Sequence, residues 1–361
     1  MHKTVTKLAD GRELVYYDAE PGLSRDAVDR RPLDPADSAS EIRVDPFTGD
    51  PVTIAAHRQG RIYHPPADEC PLCPSRDGRL SEIPADDYQV AVFENRFPSL
   101  ASSSAAHVVP WEEGPYALGP GAGRCEVVCF TSDHGASLGD LTEDRARLVL
   151  DAWTDRTAEL YARPDVRQVY CFENRGADIG VTLGHPHGQI YAFPFTTPRT
   201  AQAVARAAEY RASTGRNLSE DVLAAERATA GEPGSRVVLA GEHWTAFVPF
   251  AARWPYEVHL YPNRRVADLT ALTEDERAEF PRLYLDLLRR FDRLFPEPAP
   301  YIAAWHQAPR PAEAELALHL ELFTVRRTAT KLKYLAGTES GMGAVMNDIR
   351  PETAAATLRE L

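Results

Sequence analysis

Two histidines separated by one proline stand out in the segment Gly184–Tyr191, which reads GHPHGQIY. In a strand, alternate residues share a face, so His185, His187 and Gln189 are predicted to point to one side. Three polar side chains on one face are costly to bury without partners or a purpose. One imidazole can bind a metal or orient its neighbour, and the other can act as a nucleophile near pH 7. The Gln189 amide can hold a phosphate oxygen as charge develops.

A glycine-rich segment, ENRGADIGVTLG at 173–184, comes directly before these histidines. The backbone N–H groups of such a loop can approach phosphate oxygens closely, because glycine carries no side chain to hold them apart. The combination favours a phosphate-handling site over the simpler alternative, a pair of surface histidines in a turn.

Cys70 and Cys73 form a second group, in the sequence CPLCP. Two thiols three residues apart in a proline-containing turn provide half of a tetrahedral zinc site. The chain has no second pair of this kind, so we expect two histidine ligands, and His134 and His185 are the best candidates. A redox pair or two inert thiols are the alternatives. A zinc site that uses His185 leaves His187 free to react.

Other residues are candidates for binding a nucleotide. Arg58 and Arg61 lie beside proline-rich sequence, and a guanidinium suits bidentate binding of phosphate, although solvated surface arginines give the same pattern. Asn95 and Phe97 can frame a base or a ribose.

The second half of the chain carries a weaker polar group. His319 and Glu321 alternate with leucines and therefore share one face, and His306 follows a tryptophan. This group lacks the His-x-His pattern and the glutamine, so it predicts no second nucleophile. Structural hydrogen bonding and metal binding both stay open for it.

The composition limits the classes of protein that can carry these groups. The 361 residues include 40 Lys and Arg against 53 Asp and Glu, and a net charge of −13 argues against nucleic-acid or membrane partners. No apolar run approaches the ~20 residues of a membrane span, and the N-terminus lacks a signal-peptide core. Five cysteines are too few for a disulfide framework, so we expect a cytoplasmic protein with reduced thiols.

An internal echo indicates how the elements are arranged. Residues 125–144 and 256–275 align without a gap, and both place Glu-Val in a strand and Leu-Thr-Glu-Asp at the start of a helix. The echo predicts an α+β fold made of two similar halves. The expected boundaries are an N-terminal arm at 1–40, a half with the zinc site and the nucleophile at 41–197, and a second half at 198–361.

These motifs resemble those of the galactose-1-phosphate uridylyltransferases, a branch of the histidine-triad superfamily. The resemblance depends most on the His-Pro-His-Gly-Gln run at 185–189, which is highly specific in this context. The other matching positions occur in the right order along the chain; they are Arg58, Arg61, Cys70, Cys73, Asn95, 132–134, 173–176, Gly180, 254–257, 333–334, Gly337 and Glu339.

The resemblance implies two histidine-triad-like half-domains that form an open antiparallel β-barrel or sheet with outer helices, assembled as a homodimer. It implies a ping-pong reaction of galactose metabolism, in which His187 takes the uridylyl group from UDP-glucose and releases glucose 1-phosphate. Galactose 1-phosphate then accepts the group and leaves as UDP-galactose. Gln189 would hold the phosphoryl oxygens. The implied ligands of a structural Zn²⁺ are Cys70, Cys73, His134 and His185. The other implied substrate contacts are Arg58, Arg61, Asn95, Phe97, Asn174, Gly180, Thr182, Lys333, Tyr334 and Glu339.

The chain departs from the family pattern at two places. Residues 182–184 read Thr-Leu-Gly where many relatives have Ser-Asn-Pro, so the loop before the histidines differs. Some members bind a second metal through one glutamate and three histidines. His306 and His319 match two of these ligands, but Glu321 stands where a third histidine is expected. No residue clearly matches the glutamate, so the resemblance gives no full ligand set for a second metal.

Other functions stay open at this level. A related nucleotidyltransferase or phosphorylase would act on another nucleotide sugar, such as ADP-glucose. Hydrolases of the superfamily usually carry a third histidine where this chain has Gln189, and an amide cannot shuttle a proton. A non-catalytic, zinc-stabilised nucleotide-binding module would form no covalent intermediate.

Overall fold

The computed structural model describes residues 1–36, 38–60, 65–76 and 78–361. The strands in these residues are β1 (His2–Lys7), β2 (Glu13–Asp18), β3 (Glu41–Val44), β4 (Pro51–Ile54), β5 (Val90–Glu94), β6 (Trp111–Glu113), β7 (Tyr116–Pro120), β8 (Arg124–Cys129), β9 (Gln168–Arg175), β10 (His187–Phe193), β11 (Val237–Ala240), β12 (Trp244–Phe247), β13 (Tyr256–Pro262), β14 (Tyr301–His306), β15 (His319–Thr324), β16 (Arg326–Thr328) and β17 (Lys331–Leu332). The α-helices are α1 (Ser104–His107), α2 (Glu143–Tyr161), α3 (Pro198–Thr214), α4 (Leu218–Ala228), α5 (Glu274–Arg293), α6 (Gly337–Met342) and α7 (Pro351–Glu360).

A large antiparallel sheet dominates the described part of the chain. Its strand order is β1-β2-β5-β8-β10-β9-β14-β15-β13-β12-β11, so β1 and β11 are its edges and the sheet does not close into a barrel. A smaller sheet has the order β4-β3-β7-β6, and β16 pairs with β17. The predicted α+β class, with an open antiparallel sheet and outer helices, is confirmed.

The large sheet consists of two similar halves that meet where β9 pairs with β14, with Tyr301 opposite Arg175. Each half contains a strand, a short 3₁₀ turn, a long helix and two further strands: β8, α2, β9 and β10 in the first, and β13, α5, β14 and β15 in the second. Thr142 and Thr273 cap the two long helices, each accepting a hydrogen bond from a backbone N–H three residues on. The sequence echo is therefore a repeated structural unit.

The two faces of the sheet have different environments. Helices α2 and α5 pack against each other and against one face, where residues such as Ile190, Val258 and Leu320 are buried in one continuous apolar core. On β10 the exposure alternates, so Ile190 lies in the core while His187 and Gln189 lie on the opposite, partly exposed face. The pleat of β10 thus separates the core from the polar side chains.

The first 40 residues, predicted as an arm, contain two strands of the large sheet. β1 pairs with β2 over their full length, and β2 pairs with β5. Residues 19–36 contain neither helix nor strand. The boundaries at residues 40 and 197 stay predictions. None of the described helices is long and apolar enough to cross a membrane.

Trp305 offers a test of how the core joins the two halves. It is 1% exposed, and its ring contacts those of Trp153, Trp244 and Phe280. We expect Trp305→Ala to lower the free energy of unfolding by about 3–5 kcal/mol, because it leaves a cavity that these rings cannot fill. Urea denaturation at equilibrium measures the loss.

Two matched variants sharpen this test. Phe250→Ala, at a side chain that is 77% exposed, should change the free energy of unfolding by less than about 0.5 kcal/mol. Trp305→Phe should cost less than the alanine variant, because the indole N–H has no hydrogen-bond partner in the described structure. Equal losses for Trp305→Ala and Phe250→Ala would show that the core does not depend on this cluster.

Candidate active site and metal centre

His187 is the first residue of β10, and its backbone neighbour determines which ring nitrogen can react. Its Nδ1 lies 2.7 Å from the carbonyl oxygen of His185, which can only accept, so Nδ1 carries the proton and donates. The lone pair is therefore on Nε2. Burial lowers the pKa of His187, which favours the neutral ring. The result is a neutral, oriented imidazole with one nucleophilic nitrogen.

His187 lines a cavity of about 550 Å³ that gathers most of the predicted site residues. The predicted residues around it are Arg58, Asn95, Phe97, Asn174, Gly180, Thr182, His187 and Gln189. They come from the strands β9 and β10, from the glycine-rich loop between them, from the segment after β5 and from a 3₁₀ turn at Ala56–Gly60, which are far apart in sequence. Arg61 lies outside the described residues.

Neighbouring strands give this cavity two kinds of wall. Gln189 on β10 lies opposite Val127 on β8, and Val127 lies opposite Phe93 on β5. With Pro71 and Leu72 from the cysteine loop, these residues form an apolar slot on one side of Gln189. Sequence reasoning missed this slot, although the alternation along β5 and β8 is its signal.

The other side of the cavity adds polar groups among apolar residues such as Phe172 and Val181. β9 pairs with β10 on the side away from β8, and it carries Asn174, which lines the cavity with Gly180 and Thr182 of the following loop. Gly180 has a φ of +79°, a conformation that L side chains rarely adopt. Amide, hydroxyl and backbone N–H groups thus lie beside His187, where a phosphate can accept hydrogen bonds.

The side chains of Asn95 and Arg58 have partners within the protein and still line the cavity. The Oδ1 of Asn95 accepts a hydrogen bond from the backbone N–H of Phe97 at 2.9 Å, which leaves its amide N–H₂ as a donor. Arg58 donates to the hydroxyl of Ser99. A guanidinium has five N–H donors, so this contact leaves most of them available.

Gly188 allows the reactive strand to lie tightly on the core. A Cβ at this position would come within 2.7 Å of the carbonyl oxygen of Phe172 and 2.8 Å of the ring of Phe130. No side chain fits there without moving the strand that carries His187 and Gln189. The glycine between these two residues is therefore a packing requirement.

Four side chains that the sequence assigned to a metal do converge. The donor atoms of Cys70, Cys73, His134 and His185 all lie within 4.8 Å of one another. The Sγ of Cys73 is 3.4 Å from Nδ1 of His134 and 3.5 Å from Nδ1 of His185. Tetrahedral bonds of about 2.0–2.3 Å place donor atoms at such separations.

The surroundings of His185 prepare it as a metal ligand. Its Nε2 donates to the carbonyl oxygen of Thr131 at 2.8 Å, and the hydroxyl of Tyr88 lies 2.7 Å from the same nitrogen. Because Nε2 of the neutral ring carries the proton that it donates to Thr131, Nδ1 is unprotonated, and it lies 3.5 Å from the Sγ of Cys73. Burial lowers the pKa of His185 to about 4, and burial raises the pKa of Cys70 to about 11. A neutral imidazole is ready to bind, whereas a thiolate here needs a cation beside it.

The structure separates the two histidines of the motif. His185 precedes β10, so the alternation of the strand does not extend to it, and it is buried in the metal group. His187 opens the strand and lies in the cavity. The metal-binding role of His185 and the reactive role of His187 stay predictions.

A second group of histidines lies on the same face in the other half of the sheet. The carboxylate of Glu321 is 3.3 Å from Nε2 of His306, 3.3 Å from Nε2 of His319 and 3.6 Å from Nε2 of His259. Sequence reasoning missed His259, whose place opposite Glu321 follows only from the pairing of β13 with β15. Arg199 also binds this carboxylate, at 2.8 Å. Glu321 thus already has a cationic partner within the protein.

The three residues predicted to contact the sugar phosphate lie elsewhere. Lys333 is buried, with its Nζ 3.0 Å from Glu339 and bonded to the carbonyl oxygen of Met346. Tyr334 is 73% exposed. Among the described residues that line the cavity of His187, none comes from this segment.

The fold and the site together define a two-half antiparallel protein that presents a histidine with a free Nε2 lone pair, together with amide and hydroxyl groups, to one cavity. The sequence model of the galactose-1-phosphate uridyl transferase N-terminal domain matches residues 31–197, and that of the C-terminal domain matches residues 203–361. The chain belongs to this family.

Individual relatives agree with this assignment. The chain is 55% identical to a galactose-1-phosphate uridylyltransferase of Streptomyces lividans, over 100% of this chain and 98% of the relative. It is 37% identical to that of Thermotoga maritima, over 89% of this chain and 98% of the relative. A solved uridylyltransferase has a TM-score of 0.77 at 31% identity, covering 89% of this chain and 97% of that one. An ADP-glucose phosphorylase from Arabidopsis thaliana, at 22% identity and a TM-score of 0.67, shows the shared fold alone.

Glu173 supplies a pH-dependent prediction. It precedes Asn174 on β9, its side chain is buried, and it accepts a hydrogen bond from the hydroxyl of Tyr301 at 3.0 Å. Burial raises the pKa of Glu173 to about 7. The folded protein therefore binds this proton more tightly than the unfolded chain, and the resulting stability is lost as pH rises through 7.

We expect Glu173→Gln to remove this dependence, since glutamine can still accept the Tyr301 hydrogen bond. Relative to the wild type, the variant should gain up to about 3 kcal/mol in free energy of unfolding between pH 4.5 and pH 8. Urea titrations at several pH values measure it. A constant difference between the two proteins across this range would contradict a proton on Glu173.

Proposed function

We propose that the chain transfers the uridylyl group of UDP-glucose to galactose 1-phosphate through a covalent intermediate on His187. The observation that carries this proposal is the hydrogen bond from Nδ1 of His187 to the carbonyl of His185. It directs the lone pair of the ring to Nε2, beside Gln189 and Asn174 in a cavity large enough for a nucleotide. The relatives named galactose-1-phosphate uridylyltransferase support the choice of substrates.

Each half of the reaction exchanges one bond at the α-phosphorus. In the first half, Nε2 of His187 forms a bond to phosphorus as the bond to the bridging oxygen breaks, and glucose 1-phosphate leaves with that electron pair. In the second half, a phosphate oxygen of galactose 1-phosphate forms the new bond to phosphorus, and His187 leaves. Glucose 1-phosphate leaves as a stable anion in the first half, and His187 leaves as a neutral imidazole in the second, so neither step requires a proton donor.

Gln189 suits this cycle better than an acid or a base would. Its amide can donate to a non-bridging oxygen and stabilise charge in the transition state. It has no proton to exchange, so it does not activate water against the intermediate. Asn174, Thr182 and Arg58 are the proposed contacts of the phosphates, and Asn95 and Phe97 those of the uridine.

The acceptor side of the proposal depends on the resemblance. Lys333, Tyr334 and Glu339 lie apart from the cavity of their own chain, so we propose that they contact the sugar phosphate in the cavity of a second copy of the chain. Arg61 is the proposed contact on the phosphate side. We also propose a homodimer. The side chain of Tyr334 is 73% exposed beside the Lys333–Glu339 ion pair, and a second copy of the chain could bury it there.

We propose that Cys70, Cys73, His134 and His185 hold one structural Zn²⁺. Two thiols and two imidazoles at tetrahedral separations are a donor set that zinc prefers, and the four side chains leave no open position for a substrate. The cysteines form no disulfide, which is consistent with the proposed cytoplasmic location. Because Arg199 already compensates Glu321, we propose no second metal at the histidine group around it.

A labelling experiment tests the reaction. The protein is incubated with UDP-glucose that carries the label in the α-phosphate, without an acceptor. We expect an acid-labile, base-stable label on His187, because a phosphoramidate forms there, and galactose 1-phosphate should discharge it as UDP-galactose. His187→Gly should remain folded and lose the label.

The control for this variant is His319→Gly. His319 occupies the equivalent strand position in the second half and donates from Nδ1 to the carbonyl of Ala317 at 3.0 Å, but it lies outside the cavity. It should keep the label. Wild-type protein that turns over but never carries label would exclude the covalent route, and stronger labelling from ADP-glucose would exclude UDP-glucose as the preferred donor.

Removal of one thiol tests the metal. Wild-type protein should contain one zinc per chain by elemental analysis, and Cys73→Ser should lose it together with about 3 kcal/mol or more of the free energy of unfolding. Cys125→Ser replaces another buried thiol outside the metal group and should retain the zinc. Equal zinc contents in the two variants would contradict the assigned ligands.

A further inference from the structure

The N-terminal segment, residues 1–36, lies mostly before the match to the family's sequence model, which begins at residue 31, yet it is part of the folded protein. Strands β1 and β2 extend the large sheet next to β5, the strand that leads into Asn95. The chain between residues 19 and 36 then runs without helix or strand. Side chains of this segment contact Glu82, a residue that lines the cavity of His187.

Two arginines of this segment converge on one buried carboxylate, that of Glu82. Nη2 of Arg12 lies 2.6 Å from Oε2 of Glu82, and Nη1 of Arg31 lies 2.8 Å from Oε1. All three side chains are at most 11% exposed. Each arginine also binds an aspartate of its own, Asp10 at 2.7 Å for Arg12 and Asp29 at 2.8 Å for Arg31.

Glu82 is itself one of the residues that line the cavity of His187. Its backbone N–H donates to the carbonyl of Pro71 at 3.0 Å, in the loop that forms one wall of the apolar slot. Arg12 donates through Nη1 to the carbonyl of Glu94 at 2.8 Å, next to Asn95 on the other wall. The ion pairs therefore connect both walls of the slot to the N-terminal segment.

The charges explain why two arginines are needed. A bare carboxylate at this point would repel a phosphorylated ligand and would be costly to bury. Two guanidiniums bind it, Arg31 through both carboxylate oxygens, and each guanidinium is itself fixed by an aspartate. If one is removed, the carboxylate keeps a partner but loses its fixed position, so the slot loosens without losing its fold.

We propose that the N-terminal segment is a positioning element for the nucleoside part of the donor, acting through Arg31 and Arg12 on Glu82. It shapes the slot in which the base and ribose lie and takes no part in the bond exchange at His187. This inference rests on the proposed function, because it assigns a nucleoside to the apolar slot.

The test measures binding and turnover separately in the full-length protein. Isothermal titration with UDP needs no reaction, and steady-state kinetics give KM and kcat for UDP-glucose. We expect Arg31→Ala to weaken UDP binding and raise KM about tenfold, while kcat stays within about twofold, because the base loses its preformed slot. Arg31→Lys keeps the positive charge but loses the planar guanidinium, so its affinity for UDP should lie between that of the wild type and that of Arg31→Ala.

Arg25→Ala is the matched control. Arg25 belongs to the same segment, is similarly buried, and pairs with Asp18 at 2.6 Å and with the carbonyl of Asp87 at 2.6 Å. Neither partner is among the described residues that line the cavity. We therefore expect Arg25→Ala to lower the thermal unfolding temperature and to keep the wild-type affinity for UDP.

The outcomes are distinguishable. Wild-type affinity in Arg31→Ala overturns the proposal, and so does an equal loss in Arg31→Ala and Arg25→Ala, which would reflect a generally loosened segment. Wild-type protein that binds no UDP would instead overturn the proposed function on which this inference rests.

Discussion

One hydrogen bond connects the metal group to the histidine in the cavity. The carbonyl oxygen of His185 accepts a hydrogen bond from Nδ1 of His187, and the ring of the same His185 belongs to the metal group. Anything that holds His185 in place therefore also orients the reactive ring two residues later. The contacts of His185 with Thr131 and Tyr88, and the missing Cβ of Gly188, serve the same end. A structural metal here would act on the reaction only through geometry, by restricting the backbone that positions the nucleophile.

The second half of the fold repeats the hydrogen bond between Nδ1 of a histidine and a backbone carbonyl, but in different surroundings. His319 stands at the equivalent position of the second half and makes the same Nδ1 contact with a backbone carbonyl. Its neighbours differ: Glu321 replaces the glutamine, and His306 and His259 surround the carboxylate with Arg199. Burial lowers the pKa of His319 to about 4, and its Nε2 faces Glu321 at 3.3 Å. A duplicated backbone thus presents a histidine with a free Nε2 on one side and an ion-paired histidine cluster on the other.

The net charge of the chain does not decide the charge that a ligand meets in the cavity. The excess of 13 negative charges belongs to the whole chain. The described lining of the cavity holds two arginines, Arg58 and Arg96, against two glutamates, Glu69 and Glu82, and Glu82 is paired with two further arginines. Charges act over about 10 Å in salt, so a few placed guanidiniums decide what an anionic ligand meets. The buried pairs of Glu82 show that positioning these charges requires elements far outside the local motif.

The sequence by itself determined the groups whose members are close along the chain or recur at a fixed offset. The His-Pro-His-Gly-Gln run, the cysteine pair and the echo of residues 125–144 in 256–275 all have local causes: strand alternation, turn geometry and a repeated unit. Only the tertiary structure decided which distant side chains share a space. His259 reaches Glu321 through strand pairing, Arg31 reaches Glu82 across 51 residues, and the Lys333 segment lies apart from the cavity. No local rule encodes such contacts, because they depend on register and strand order, which the whole core sets at once.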